Sequence, residues 1–233
     1  MSDLRARLAD VRERIERAAG RARRDPASVR LVAVSKTFPA DAVRLAAAEA
    51  QTEFGENRVQ EAFDKMDRTA DLALRWHLVG HLQSNKAARA AARFDVIHSV
   101  DSAALLTRLD AAAAAAARHP ELLVQVDLAG EATKHGAVPS ELPGIFEAAR
   151  GCQAARVVGL MLLPPAVDDP EQARPYFRQL REIKAELAAS GVAASMLAQL
   201  SMGMSHDFAV AIEEGATHVR VGTALFGPRP SPA

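Results

Sequence analysis

The sequence predicts a single TIM-type (β/α)8 barrel with one extra helix at its N-terminus. Short apolar runs alternate with helical segments along the chain, and this alternation indicates parallel strands joined by right-handed crossover helices. Eight such runs fit into 233 residues, close to the usual barrel length of about 250. An open doubly wound sheet is the alternative. Residues 35–39, after the first strand, lack the glycine-rich phosphate-binding turn of that fold.

The first helix is expected over residues 3–19, where Leu4, Leu8, Val11 and Ile15 recur at helical spacing. Its arginines alternate with acidic residues, which favours a solvated face over a nucleic-acid interface. The predicted strands are 31–35, 53–55, 75–79, 96–99, 122–127, 157–162, 196–201 and 218–221. The helices between them are 39–50, 57–67, 84–92, 102–117, 138–150, 170–189 and 207–214. No linker interrupts residues 1–233, so one domain is expected, with a frayed tail at 228–233.

Composition and charge exclude several classes of protein. The chain has 29 Lys+Arg and 29 Asp+Glu, whereas a strongly basic nucleic-acid binder needs a surplus of positive charge. No apolar run approaches the ~20 residues that cross a bilayer. The first residues are charged throughout, unlike a secretory signal, and the single cysteine, Cys152, permits no internal disulfide. These features fit a cytoplasmic protein without nucleic-acid or membrane contacts.

Lys36 is the lysine best placed for chemistry. It directly follows the first strand, at the end of the barrel where active sites lie. By strand alternation it shares a side with Val32 and Val34. If that side faces the lumen, desolvation favours the neutral amine, which attacks carbonyls and forms a Schiff base. The alternative is an exposed lysine beyond a strand end. The other lysines, in polar sequence surroundings, are Lys65, Lys86, Lys134 and Lys184.

The end of the chain offers an anion-binding site. Gly222 and Thr223 follow the last strand and can begin a short helix that Gly227 ends, and a helix start presents free N–H groups to an anion. Ser205 lies in the loop after the seventh strand, and barrels often bind phosphate after strands seven and eight. A capping serine and ordinary turn glycines are the alternative. Strands eight and one are neighbours in a closed barrel. Lys36 and this anion-binding site together therefore suggest a phosphorylated aldehyde as the ligand.

Other polar residues give weaker signals. His77 and His81 are four apart on a strand and its exit, a span of about 13 Å that is too long for one zinc ion, so no metal site is predicted. Lys134, in the loop after the fifth strand, could contact a ligand or partner, but a solvated loop charge is the commoner case. Tyr176 is expected to be a half-buried packing residue on an outer helix.

Seven strings in the sequence resemble the pyridoxal phosphate homeostasis proteins, over about residues 4–228. The most specific is WHLVGHLQSNK at 76–86. The others are LVAVSKT at 31–37, FGENRVQE at 54–61, HSVDS at 98–102, GLM at 159–161, LSMGMS at 200–205 and RVGTALFG at 220–227. Ala90 stands where that family is expected to have a branched aliphatic residue, which bears only on local helix packing.

This resemblance implies a barrel similar to the amino-terminal domain of alanine racemase, with pyridoxal 5′-phosphate held as a Schiff base on Lys36. It implies that the phosphate is bound by Ser205, Gly222 and Thr223. It also implies that Asn57, in the Gly-Glu-Asn loop, lines the cofactor.

By the same resemblance, Arg220 faces the pyridine nitrogen. Arginine only donates hydrogen bonds, so that nitrogen stays unprotonated and the ring is a weaker electron sink. Imine formation and release are unaffected by this, whereas carbanion chemistry is discouraged. The alternative is that Arg220 pairs with a carboxylate inside the barrel.

The expected function is to hold and release the cofactor without efficient catalysis, in contact with the cofactor and, transiently, with apo-enzymes that need it. A monomer is expected. One alternative is a racemase or lyase that uses the same cofactor, and another is an aldolase that uses Lys36 directly. Alanine racemases take a tyrosine base from a C-terminal β-domain, whereas the chain ends soon after its eighth strand. Its only tyrosine, Tyr176, is expected outside the barrel.

Overall fold

The computed structural model describes residues 2–130 and 135–228, which form the predicted closed barrel. Each strand pairs in parallel with the next in chain order, and the last pairs with the first. The strands are β1 Arg30–Val34, β2 Glu53–Glu56, β3 Arg75–Leu78, β4 Val96–Val100, β5 Glu121–Val126, β6 Arg156–Leu162, β7 Gln199–Met204 and β8 His218–Val221. Lys134 and residues 229–233 of the predicted tail lie outside the described residues.

Helices surround the barrel on its outer side. They are α1 Ser2–Arg21, α2 Ala40–Ala48, α3 Val59–Arg68, α4 Ala87–Arg93, α5 Ala103–Ala115, α6 Leu142–Arg150, α7 Arg174–Ala189, α8 Phe208–Glu213 and α9 Thr223–Phe226. Short 3-10 helices occupy Pro26–Ser28, Ser84–Lys86, Pro139–Glu141, Pro170–Ala173 and Ala194–Leu197. Within the described part of the chain, no helix combines the length and apolar character that a membrane span requires.

The extra helix α1 packs on the outside of the barrel, as its spacing predicts. Leu8, Val11 and Ile15 are buried in the main core, and the helix contacts α8 and α9. The Arg14 guanidinium lies 4.5 Å from the centre of the Phe208 ring, a cation–π contact between α1 and α8. The apolar face of α1 therefore closes the barrel surface beside the last two helices.

The main core lies between the strands and the helices, and the barrel interior is a second, more polar region. Ala33, Phe54 and Leu78 are fully buried in the main core. The interior holds a small apolar cluster of Val96, Leu123 and Met161. It also contains buried polar side chains, and His98 on β4 bonds to Ser201 on β7 although these strands are not neighbours. This bond crosses the interior of the barrel.

The seventh strand differs from its predicted position. Residues 196–201 were expected to form it, but Ala194–Leu197 is a 3-10 helix and β7 runs from Gln199 to Met204. The pairing of β7 with β8 is irregular between Ser201 and Met204, where Gly203 has a φ of 93°. Apolar residues of the preceding turn, such as the buried Leu197, mimic a strand in the sequence. Ala90 is fully buried in α4, together with Ala87 and Ala91.

Candidate functional site

A cavity of about 550 Å³ opens at the carboxyl ends of the strands. Its lining includes all six residues that the sequence singles out: Lys36, Asn57, Ser205, Arg220, Gly222 and Thr223. They come from the segments that follow β1, β2, β7 and β8, and from β8 itself. The structure therefore brings the predicted residues together, and their roles toward a ligand stay predictions.

Lys36 reaches this cavity because β1 turns its valines inward. A Cβ built on Gly55 of β2 would lie 3.0 Å from Val32 Cγ1 and 3.3 Å from Val34 Cγ2. Both valines are buried, and Val34 lines the cavity together with Lys36. The lysine thus continues the interior-facing side of β1, as alternation predicts.

A group of side chains on β2 and α3 holds the backbone on both sides of Lys36. On one side, Lys65 Nζ donates to the Ser35 carbonyl oxygen at 2.7 Å. On the other, the Thr37 N–H donates to Glu61 Oε1 at 2.6 Å. Thr37 has a φ of 69°, a left-handed conformation that is costly for a β-branched residue. The Glu61 contact therefore stabilises a strained turn beside the lysine.

The same group contains a buried ion pair. Lys65 Nζ lies 2.6 Å from Glu56 Oε1 and 2.9 Å from Glu61 Oε1, and the Ser35 hydroxyl donates to Glu56 Oε1 at 2.6 Å. The side chain of Lys65 is 4% exposed and that of Glu56 is 0% exposed. Burial raises the pKa of Glu56, although the Lys65 ammonium and the Ser35 hydroxyl oppose this effect. We call Glu56, Glu61 and Lys65 the lysine clamp.

Lys65 is a functional candidate that the sequence did not reveal. Its polar sequence surroundings indicated no role for it, whereas the structure buries its side chain. The useful signal was Glu61, one helical turn before Lys65 on α3. The partner Glu56 lies on a different element, so no local pattern links it to Lys65.

Ser205 and the start of α9 form the part of the cavity wall that follows β7 and β8. Ser205 Oγ accepts the N–H groups of Gly222 at 3.2 Å and Ala224 at 3.3 Å. Because the oxygen accepts from the protein, its own O–H proton can be donated to a ligand. A Cβ at Gly222 would lie 3.1 Å from the Val34 carbonyl oxygen, so glycine allows this wall to approach β1 closely.

Arg220 is a buried cation at the base of the cavity. Its NH1 donates to Ser201 Oγ at 2.5 Å and its NH2 to the Leu162 carbonyl oxygen at 2.8 Å. Burial lowers its pKa to about 10, with the charge of Asp207 acting in the opposite direction. The guanidinium is therefore still charged near pH 7. Within the described ranges no carboxylate forms an ion pair with Arg220, so the carboxylate pairing considered from sequence is not observed.

Sequence reasoning missed Gly80, a residue that shapes the cavity. A Cβ at Gly80 would lie 2.3 Å from the Asn57 carbonyl oxygen and 2.7 Å from Asn57 Cα. The loop after β3 therefore packs directly on the backbone of a predicted site residue. The string at 76–86 contains Gly80, but its spacing alone does not say which backbone the glycine approaches.

The two histidines weighed as metal ligands lie in different places. His77 is fully buried in the barrel, whereas His81 lines the cavity and stacks on His135 at a ring-centre distance of 3.5 Å. Burial and the neighbouring His135 lower the pKa of His81. Residues 2–130 and 135–228 contain no group of three or more His, Cys, Asp or Glu side chains suited to a metal ion.

The two remaining sequence candidates lie away from the cavity. Tyr176 is partly buried on α7, where it packs against the main core outside the barrel. Cys152 is partly buried and follows α6, and burial raises the pKa of its thiol to about 11.

The cavity suits a ligand that combines a carbonyl with an anionic group. A lysine follows β1 in its lining, and a hydroxyl beside a helix start follows β7 and β8. The buried guanidinium forms no ion pair within the described residues, and the nearby charge of Asp207 only partly offsets its burial, which favours a ligand with negative charge. The donor set therefore fits a phosphorylated aldehyde.

Comparison with known proteins gives one consistent family. The family model described as "Alanine racemase, N-terminal domain" matches residues 6–230. The pyridoxal phosphate homeostasis protein of Aquifex aeolicus is 43% identical over 223 residues, which cover 96% of this chain and 97% of that protein. The protein of the same name from Pseudomonas aeruginosa is 44% identical over 229 residues, covering 98% and 97%.

Solved structures are also similar to this chain. The structure of PipY, the COG0325 family member of Synechococcus elongatus, with pyridoxal phosphate bound, has a TM-score of 0.86 at 43% identity. The alignment covers 96% of this chain and all of PipY. An alanine racemase of Clostridium difficile aligns with a TM-score of 0.73 at 16% identity, and the match covers 58% of that chain. This second likeness concerns the fold alone.

Proposed function

This chain belongs to the family of the pyridoxal phosphate homeostasis proteins, within the alanine racemase N-terminal-domain proteins, and from that premise we propose how it handles its cofactor. It takes part in pyridoxal 5′-phosphate homeostasis, holding the cofactor on Lys36 and releasing it. Lys36, Asn57 and Arg220 are its proposed binding residues, together with Ser205, Gly222 and Thr223.

The observation that carries this proposal is the single cavity that contains all six residues. Its two walls supply different chemistry, an amine after β1 and hydrogen-bond donors after β7 and β8. When bound, pyridoxal 5′-phosphate supplies an aldehyde carbon that condenses with an amine. A ligand that spans the cavity is thus held covalently at one end and by its phosphate at the other.

Each residue has a distinct role in this arrangement. Lys36 provides the nucleophilic amine, and the lysine clamp fixes the backbone from which that amine extends. Ser205 donates its O–H proton to the phosphate, since its oxygen already accepts two backbone N–H groups. Arg220 donates an N–H toward the pyridine nitrogen and cannot accept a proton from it. That nitrogen therefore carries no proton.

The arrangement favours storage and release over turnover. An unprotonated ring nitrogen withdraws electrons weakly, so the carbanion needed for racemisation is poorly stabilised. The only tyrosine, Tyr176, lies on α7 outside the barrel and cannot act as a second base in the cavity. We propose that the protein is not an efficient enzyme. A racemase or lyase that uses the same cofactor is the second candidate, and the shared fold with alanine racemase is the observation in its favour.

We also propose an oligomeric state, a location and partners for this protein. It acts as a monomer in the cytoplasm, where apo-enzymes that need the cofactor contact it transiently. Residues 1–233 form one cofactor-binding domain.

The absorption spectrum tests the proposed site. The purified protein with pyridoxal 5′-phosphate is expected to be yellow, and Lys36→Ala to lose the visible imine band while keeping its far-ultraviolet circular dichroism. Lys184→Ala, on the outer helix α7, is the matched control and keeps the band. An imine band that survives in Lys36→Ala would show that another residue is the main anchor.

A second assay separates storage from catalysis. Incubation of the loaded protein with L-alanine is expected to give no D-alanine at an enzyme-like rate, measured by chiral chromatography. Sustained racemisation would favour the second candidate.

A further inference from the structure

A chain of buried polar side chains runs through the barrel from the cavity to its opposite mouth. Arg220 NH1 donates to Ser201 Oγ at 2.5 Å, and Ser201 Oγ lies 2.8 Å from His98 Nδ1. His98 Nε2 lies 2.9 Å from His77 Nδ1, and His77 Nε2 lies 3.1 Å from Glu53 Oε2. We call these five residues the interior chain. Arg220 lines the cavity, whereas Glu53 lines a separate pocket at the other end of the barrel.

The two ends of the interior chain together set the direction of the hydrogen bonds, because Arg220 only donates and an ionised Glu53 only accepts. Arg220 can only donate, so Ser201 Oγ accepts at that contact and its own proton is available for His98 Nδ1. His98 then carries its proton on Nε2 and donates it to His77 Nδ1. His77 in turn carries its proton on Nε2, the atom that faces Glu53. Every member of the chain therefore donates toward Glu53.

The contact between His77 and Glu53 also favours hydrogen bonds that are donated toward Glu53. Glu53 Oε2 and His77 Nε2 are both buried, and neither has another hydrogen-bond partner within the described residues. Their 3.1 Å separation is a hydrogen-bond distance, although the two groups are not aligned for an ideal bond. Burial would raise the pKa of Glu53, but its contact with His77 and the charge of Arg30 lower it to about 2. The carboxylate is thus ionised at neutral pH.

The imidazole rings of His77 and His98 favour the neutral state. Both are fully buried, and burial lowers the pKa of His77 and holds that of His98 well below its usual value. Other ionisable groups face the chain without forming a hydrogen bond to either ring within the described ranges. They are Arg30, Arg75, Asp95, Asp207 and His218.

We propose that the interior chain positions Arg220 for the ligand, and that Glu53 serves as its distant countercharge through two neutral histidines protonated on Nε2. Arg220 forms no ion pair within the described residues, and the charge of Asp207 offsets only part of the cost of burying the guanidinium, so further compensation is needed. Hydrogen bonds that all point the same way reinforce one another and carry the polarisation from Arg220 to Glu53. Ser201, His98, His77 and Glu53 are thus positioning residues, because only Arg220 lines the cavity.

The consequence is that a substitution at the far mouth of the barrel changes the chemistry of the cavity. Removing the Glu53 charge leaves the Arg220 charge less compensated, and a more positive cavity disfavours protonation of a bound imine. This consequence rests on the proposed function, whereas the histidine tautomers do not.

The first measurement uses the full chain without ligand. Long-range ¹H–¹⁵N NMR spectra at pH 7.5, assigned with single His→Gln variants, are expected to show His77 and His98 as neutral rings protonated on Nε2. A protonated Nδ1 or an imidazolium at either ring would overturn the proposal. This result stands even if Lys36 forms no imine, in which case the proposed function alone fails.

The same spectra test the serine link. Ser201→Ala is expected to lower the population of the Nε2–H tautomer of His98, because no hydroxyl donates to Nδ1, and Ser201→Thr to retain it because threonine keeps the hydroxyl. Ser99→Ala is the matched control, since Ser99 is a buried serine whose hydroxyl has no partner within the described residues. A His98 tautomer population that is unchanged in Ser201→Ala would refute the proposed hydrogen bond from Ser201 to His98.

The second measurement follows the visible imine band of the pyridoxal 5′-phosphate complex as pH is changed. Glu53→Gln is expected to lower the midpoint of this titration by about 0.5–1 pH unit, and Ser99→Ala to leave it unchanged. A midpoint that is the same in Glu53→Gln and in the wild type would overturn the role of Glu53 as countercharge.

Discussion

The buried pair of Lys65 and Glu56 gives a sharp test of the lysine clamp. Lys65→Met keeps the length of the side chain but removes its charge. It leaves Glu56, whose side chain is 0% exposed, with the Ser35 hydroxyl and no cation. It also removes the donor to the Ser35 carbonyl oxygen beside Lys36.

The cost follows from this burial. Removing one partner of a buried pair costs about 3–5 kcal/mol, because the other charge is left uncompensated. We therefore expect Lys65→Met to lower the free energy of unfolding by about that amount. In Lys65→Met/Glu56→Gln the buried charge is absent, and the double variant should recover about 2–3 kcal/mol relative to the sum of the single changes.

Urea denaturation followed by circular dichroism measures these differences. Arg68→Ala on the same helix is the matched control, because Arg68 makes only exposed ion pairs with Asp41 and Asp64. It should cost about 1 kcal/mol or less. Equal stability of Lys65→Met and Arg68→Ala would refute the reasoning, as would strict additivity in the double variant.

Three further predictions concern the cavity and the barrel interior. Gly80→Ala should weaken pyridoxal 5′-phosphate binding at least about tenfold by fluorescence titration, because its Cβ would displace the Asn57 backbone; wild-type affinity would argue against this packing constraint. Glu53 has a pKa lowered from its ordinary 4.5 to about 2, so its stabilising contribution is present above pH 4.5 and lost as pH falls toward 2. Acid unfolding of Glu53→Gln should therefore show a shallower loss of stability in this window, and an unchanged slope would contradict the pKa. Arg220→Glu should shift the imine absorption by allowing the ring nitrogen to be protonated; an unchanged spectrum would show that Arg220 does not face the ring.

Patterns that are local in the sequence predicted much of the fold and of the cavity. Lys36 was found because it directly follows an apolar strand, and Gly222 and Thr223 because they begin a short helix after the last one. The closed barrel was predicted from the alternation of strands and helices, the count of eight apolar runs and the lack of a glycine-rich turn after the first strand. Position along a strand places such residues at one end of the barrel, so their meeting in one cavity needs no knowledge of long-range contacts.

Features that depend on distant partners were not predictable in this way. Lys65 is buried because Glu56 meets it from β2, and His98 bonds to a serine 103 positions later in the chain. The start of β7 was misplaced because buried apolar residues occur both in the 3-10 helix and in the strand that follows it. In each case the determining contact lies between separate elements, and a single sequence contains no periodic signal for it.

Borohydride reduction followed by peptide mass spectrometry tests whether Lys36 is the residue that holds the cofactor. The protein is loaded with pyridoxal 5′-phosphate, reduced and digested, and the modified lysine is identified. We expect one stable phosphopyridoxyl group, on Lys36. A group found mainly on another lysine, or no modification after reduction, would contradict this expectation.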